Sequence, residues 1–529
     1  MDPEQSPAAA RGLLASAVTA AVCGAAVMVV EVLGSRVIGP FFGVSLFVWT
    51  ALITVTLVAL AAGYAAGGAL ADRRADPLDL HRIVLAAGIA VALVPELRVP
   101  VIRACLPLGL RGGSLAASAI MFGPALFLLG CVSPLVVKGA AVRLDSVGRT
   151  VGLLYAISTL GSFAGTLATG FFLIGTFAVD DIFRMTGALL ATIAALQFLR
   201  NRKRLALAAT CAAIAIVAVP RHDPSPEARL ADGTDVRVVA RRDTFYGQVK
   251  VVDYRHGSTH LRDLVIDGLV QGGIDVADGR SVYEYAQLIA ALPHAMQPDG
   301  RRALVVGLGA GAAPMWLERA GVTADVVEID PAVAAFAASH FGVKLRGRIH
   351  VADARTFLAD ATARYDYILM DAFNGDSNPS HLLTREALRL VHRSLRTGGV
   401  AAFNFHGSIG ADRAMTDAFA RTLLDVFPSV TMLPVFAAER GETWGNIVFV
   451  AALTAPSPAA LAQAGNHPAH PLAEPGIRAA LARARPAAPP PGTQPLTDAY
   501  NPVDIRDVGL KERVRMSVLR DTAPSILLY

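Results

Sequence analysis

Cysteine is scarce and unevenly spread: four occur in 529 residues (Cys23, Cys105, Cys131 and Cys211), and none follows residue 211. The C-terminal half can therefore hold neither a disulfide framework nor a cysteine-ligated metal. Charge is also thin, with Asp, Glu, Lys and Arg making up 17% of the chain, against about 25% in ordinary soluble proteins. A net charge of +5 is small for this length and argues against a nucleic-acid partner. The basic residues cluster between apolar runs, as lipid headgroups and positive-inside orientation require. What remains is apolar: 53% of residues are hydrophobic and mean hydropathy is +0.48, with the excess lying before Pro220. So long a chain needs at least two cores.

Six apolar runs approach or reach the length needed to cross a ~30 Å hydrocarbon layer: Leu13–Leu33, Leu46–Ala71, Ile83–Val101, Leu115–Val137, Val151–Phe177 and Ile182–Leu199. A seventh, Leu205–Val219, is shorter and stops at Pro220. The first run lacks a signal-peptide cleavage pattern and reads as a retained helix. Gly63-x-x-x-Gly67 and Gly161-x-x-x-Gly165 would let helices approach closely, or simply reflect the frequency of glycine in such helices. Arg73, Arg74 and Arg82, then Lys138, Arg143 and Arg149, then Arg200, Arg202, Lys203 and Arg204 follow alternate runs. Positive-inside logic puts these clusters and the N-terminus in the cytoplasm, with Arg98, Arg103 and Arg111 as exceptions. A multi-pass protein of the inner membrane is expected, with the C-terminal half cytoplasmic. Glu31 and Arg36, near the expected end of the first run, read either as a functional pair at depth or as an interfacial ion pair.

Beyond residue 220 the pattern changes. Short β-branched runs separated by turn residues predict a small β-rich subdomain over 221–298. Strand–helix alternation over 299–453 predicts a doubly wound, Rossmann-like sheet with its ligand at the C-terminal strand ends. Ala/Pro-rich residues 454–495 read as a linker, and 496–529 as a C-terminal segment. The most informative stretch is the strand Ala303–Val306, the loop Gly307, Gly309 and Gly311, a helix, and a second strand closing on Glu328-Ile329-Asp330. An acid about 20 residues past such a loop can hold a ribose diol. Glu328, Asp353 and Asp371 each close a predicted strand, so three carboxylates converge on one crevice. Glu328 is expected on the ribose, Asp353 on the adenine amino group, and Asp371 as the group that orients and deprotonates a nucleophile. His381 and His406 read either as acid–base groups or as surface or packing residues, and Trp316 and Trp444 as packing residues; Phe373 could stack on a ligand or join the core.

Leu264–Asp267-Gly268-x-x-Gln271, Gly307–Gly311, Val327–Asp330, Ala352-Asp353-Ala354 and Met370–Phe373 occur in the order found in spermidine synthases. Over roughly Asp235–Ala452 the chain resembles that family, in the bacterial branch that fuses a multi-span region ahead of the enzyme domain. The resemblance implies that the sheet is of the S-adenosylmethionine methyltransferase type, and that the chain is an aminopropyltransferase using decarboxylated S-adenosylmethionine as co-substrate. Putrescine or another polyamine would be the acceptor, no metal would be needed, and a homodimer is admitted. It also implies substrate-binding roles for Gln271, Tyr283, Asn374, Asp376 and Tyr500. Three positions depart from the family pattern: Ala310 stands where an Asp holds the aminopropyl amine, Asn374 replaces a second Asp, and Tyr283-Glu284-Tyr285 replaces Tyr-His-Glu. A methyltransferase of a lipid or small molecule, and a transporter or sensor with a regulatory adenosine-binding domain, stay open as alternatives.

Overall fold

The computed structural model describes residues 7–43, 46–73, 76, 78–140, 147–200, 227–230, 232–361, 364–373, 375, 377–437 and 441–521. The run Leu205–Val219 lies outside them. The chain forms two compact units that divide after Pro224.

The first unit is helical, and six of its segments are long and apolar enough to cross a membrane. Its first helix, Pro7–Phe42, is longer than the expected Leu13–Leu33, so Glu31 sits well inside the span Gly12–Phe42 instead of at its end. The third and fourth expected runs are each divided. Helix Asp79–Ala92 gives way to Val94–Cys105 at Leu93, and Gly109–Met121 gives way to Gly123–Ala140 at Phe122. The cause is proline: Pro95 and Pro124 cannot donate to the carbonyl four residues back, so the helical ladder is interrupted beside each.

Glycines set the helix contacts within this unit. A Cβ on Gly63 would lie 2.3 Å from the Phe127 carbonyl, and one on Gly161 would lie 2.1 Å from the Ala21 carbonyl. Both Gly-x-x-x-Gly motifs therefore serve contacts within the chain: Leu46–Asp72 on Gly123–Ala140, and Val147–Ala168 on Pro7–Phe42. Two exceptions to the charge pattern are also accounted for. Arg98 is buried against Asp180 at 3.0 Å, and Arg111 lies over the Phe47 ring, 4.3 Å from its centroid.

The second unit opens with a five-stranded antiparallel meander: β1 (Glu227–Arg229), β2 (Asp235–Asp243), β3 (Gln248–His256), β4 (Thr259–Ile266) and β5 (Leu269–Asp275). The β4–β5 hairpin turns at Asp267-Gly268, both at positive φ (48° and 80°), the geometry that two-residue hairpins select. An eight-stranded sheet follows, in the order β13-β11-β12-β10-β9-β6-β7-β8. Its strands are β6 (Arg302–Val306), β7 (Thr323–Glu328), β8 (Ile349–Val351), β9 (Tyr365–Met370), β10 (Leu395–Ser408), β11 (Ser429–Pro434), β12 (Trp444–Ala452) and β13 (Arg485–Pro486). β6 to β10 run parallel, and β11 to β13 pair antiparallel. Strand order reverses between β6 and β9, the switch point where doubly wound sheets leave a crevice.

Residues 454–495 are not a bare linker. They form helices Pro458–Asn466 and Glu474–Ala482, whose Ala464, Ile477 and Ala480 are at most 1% exposed in one of the sheet's two cores. The small apolar side chains that suggested a loop let these helices sit close to the helix Glu284–Met296. Two polar clamps fix the meander to the two ends of the helix Pro331–His340. Thr244 Oγ1 donates to Asp330 Oδ2 at 2.6 Å, and Arg262, doubly bonded to Asp253 across the β3–β4 ladder, also donates to the His340 carbonyl at 2.8 Å.

Candidate active site

The glycine loop leaves β6 with Gly307, Gly309 and Gly311 all at positive φ (89°, 51° and 78°), which a side chain makes costly. Space forbids one as well. A Cβ would lie 2.2 Å from the Asp371 carbonyl at Gly307, and 2.6 Å from the Gln271 carbonyl at Gly309. These glycines thus bring the loop against both the β9 end and the β5 hairpin.

Glu328, the last residue of β7, is buried and bridges the loop. Its Oε2 accepts from the Leu308 amide and its Oε1 from the Asp330 amide, each at 2.9 Å. Burial pushes its pKa up, against the pull of those amides. Each oxygen retains a lone pair for a further donor. Asp330 is committed to structure, capping helix Pro331–His340 through the Ala332 amide and holding Thr244.

Asp353 caps helix Ala354–Asp360 through the Thr356 amide at 2.8 Å and faces His381 at 3.3 Å. Burial works against its ionisation, but the Thr356 amide and hydroxyl and His381 together hold it below the usual carboxylate range. Between these acids Ile329 is 39% exposed. Tyr246, from the β2–β3 turn, feels the charges of Asp330, Asp353 and Glu328, which reinforce burial in raising its phenol pKa. Neither Ile329 nor Tyr246 was legible as a site residue. An exposed apolar residue wedged between two strand-end acids was the available signal.

Asp371 follows β9, half-buried, with its amide on the Val306 carbonyl at 2.8 Å. Its Oδ1 accepts from Asn404 Nδ2 at 2.8 Å. Burial pushes its pKa up to about 6, with the Asn404 hydrogen bond opposing. Asn404 lies on the adjacent strand β10, and only that pairing brings it to Asp371, so no local motif announces it.

A cavity of ≈ 270 Å³ is lined by Gln271, Tyr283, Tyr285, Phe373 and His406 among others. Gln271 Nε2 reaches the Gly375 carbonyl at 3.4 Å, and the Tyr283 hydroxyl donates to Asp263 Oδ2 at 3.0 Å. Asp263 is buried, its other oxygen has no hydrogen-bond partner among the described residues, and burial raises its pKa to about 7 against the Tyr283 hydrogen bond. The Tyr285 phenol lies within electrostatic reach of Asp371 and Asp263. His406 and Phe373, whose readings both left a site role open, form cavity wall. Tyr500 does not: it is 46% exposed in a turn closed by Thr497 and is absent from that lining. Asn374 and Asp376 lie outside the described residues. A larger cavity, ≈ 390 Å³, lined by Arg280, His294, Trp316, Arg319 and His467 among others, contains none of the strand-end acids.

Residues 283–451 match the family described as the spermine/spermidine synthase domain. Over 155 residues the chain is 35% identical to the N-terminal histidine N-methyltransferase of Emericella nidulans, covering 28% of this chain and 27% of that one. Over 138 residues it is 36% identical to the polyamine aminopropyltransferase of Vibrio vulnificus, covering 25% and 46%. The chain thus spans less than half the length of either relative. The crystal structure of spermidine synthase from Thermotoga maritima aligns at 16% identity with a TM-score of 0.35, covering 44% of this chain and 81% of that one. The C-terminal part of this chain carries a spermine/spermidine synthase domain.

Proposed function

We propose that the chain is a membrane-anchored aminopropyltransferase that moves the aminopropyl group of decarboxylated S-adenosylmethionine to a diamine such as putrescine. The observation that carries this reading is Asp371: a carboxylate beside the glycine loop, next to the tyrosine-lined cavity, with a pKa of about 6. The neighbouring crevice suits the donor. Glu328 keeps acceptor capacity for the ribose hydroxyls, Asp353 for the adenine amino group, and Ile329 offers apolar surface to the base. The acids also suit a sulfonium cation.

Diamines are mostly protonated near neutrality, so the acceptor amine must be held as a cation and then relieved of a proton. Ionised Asp371 takes that proton, while Gln271, Tyr283 and Tyr285 hold the rest of the chain. The neutral amine attacks the carbon next to the sulfonium; a C–N bond forms, the C–S bond breaks, and its electron pair returns to sulfur as methylthioadenosine leaves. Asn374, Asp376 and Tyr500 belong to the proposed acceptor site on the family resemblance alone. Six long apolar helices support the anchoring.

Methyl transfer is the second reading. It is favoured by Ala310, which is buried and offers no carboxylate to an aminopropyl amine, and by the stretch shared with the N-terminal histidine N-methyltransferase. One experiment separates the two: the full chain is incubated with decarboxylated or ordinary S-adenosylmethionine and a panel of diamines. Methylthioadenosine from the first donor alone is the expected result. Adenosylhomocysteine from the second would transfer the assignment to methylation.

A further inference from the structure

Glu31 plays no part in that chemistry. It lies inside the segment Gly12–Phe42, and no hydrogen bond or ion pair reaches its carboxylate among the described residues. An ionisable group left so deep in an apolar helical unit is costly unless something compensates it. It lines a cavity of ≈ 230 Å³ within the helical unit, together with Thr56, Tyr64, Ser133, Ser158 and Ser162. These five hydroxyls come from three further helices, and the rest of the wall is almost wholly apolar. No basic residue lines it.

We propose that this cavity is a binding site for a small protonated amine, whose ammonium group pairs with Glu31 and donates to the surrounding hydroxyls. One carboxylate without a basic neighbour selects a single positive charge. Hydroxyl oxygens accept the remaining N–H groups, and the apolar wall accommodates a short carbon chain. At about 30 Å³ per water molecule, the cavity is far larger than a bare monovalent metal ion needs. The site belongs to the helical unit alone and is independent of the transferase reading.

The test uses the full chain in detergent and equilibrium binding of radiolabelled n-butylamine, with tetramethylammonium and n-butanol as competitors. Tetramethylammonium carries the charge without N–H donors; butanol has the chain without the charge. Saturable butylamine binding is expected, displaced by neither competitor at tenfold excess. Glu31→Gln, which mimics the neutral acid, should weaken it at least tenfold. Glu31→Asp should retain it within a few-fold, which covers the case in which the glutamine variant does not fold. Asp371→Asn should leave the Glu31-dependent part of this binding intact, whatever it does to amine held at the proposed acceptor site, and Glu31→Gln should leave nucleoside product formation intact, so the two sites fail separately. No saturable binding, equal binding by Glu31→Gln, loss in Glu31→Asp, or displacement by either competitor would each overturn the proposal.

Discussion

In the proposed mechanism Asp371 must meet two opposing demands, and a pKa of about 6 is compatible with both. A carboxylate must be ionised to accept a proton, yet must sit in a desolvated place to meet the reacting amine. Turnover should therefore fall as pH drops through about 6, where the base protonates. Removing the opposing hydrogen bond in Asn404→Ala raises the pKa further, so the acid limb of the kcat profile should move to higher pH. Asp371→Asn should cut kcat by about 10²–10⁴-fold while equilibrium dialysis finds methylthioadenosine bound as before. The same variant should not lose stability. The folded pKa lies above the unfolded value of ~3.9, so the folded state holds the extra proton between them, and stability drains away as pH rises through that window. At neutral pH the asparagine relieves that cost, and a higher Tm is the expected outcome. Asp371 was readable because it closes an apolar strand; Asn404 was not, because it meets Asp371 only when β10 pairs with β9, nor was Asp263, whose partner Tyr283 comes from the start of a helix 20 residues later.

At the level of the element, the glycine loop is held by contacts on both sides. Gly309→Ala would force a Cβ at φ 51° into the Gln271 carbonyl, a strain of about 1–3 kcal/mol. The expected result is at least tenfold weaker nucleoside binding by calorimetry, with the meander–loop contact disturbed as well. The alternating sheet could be read from strand–helix periodicity, since parallel strands declare themselves as short apolar runs, but the strand order that places the switch point could not. The helices Pro458–Asn466 and Glu474–Ala482 could not, because alanine and proline in quantity look alike in a linker and in a tightly packed helical pair. The divisions at Leu93 and Phe122 were written in Pro95 and Pro124, yet hydropathy smooths over a single missing amide.

For the whole molecule, the helical unit predicts a simple behaviour. The chain should stay in the pellet after alkaline carbonate washing of membranes and enter solution only with detergent; release by carbonate would argue against spanning. Orientation was the least legible property, and Arg98 shows why. Counting cations along a sequence treats each as exposed, but Arg98 is neutralised by Asp180, 82 residues later. Ribosomes make the arginine first. At ~5–20 residues per second, it waits about 4–16 s for its partner. In a chain that inserts into a membrane as it is made, the arginine would spend that interval as an uncompensated charge that the finished protein conceals, and the two helices could lock together only once the later aspartate had emerged.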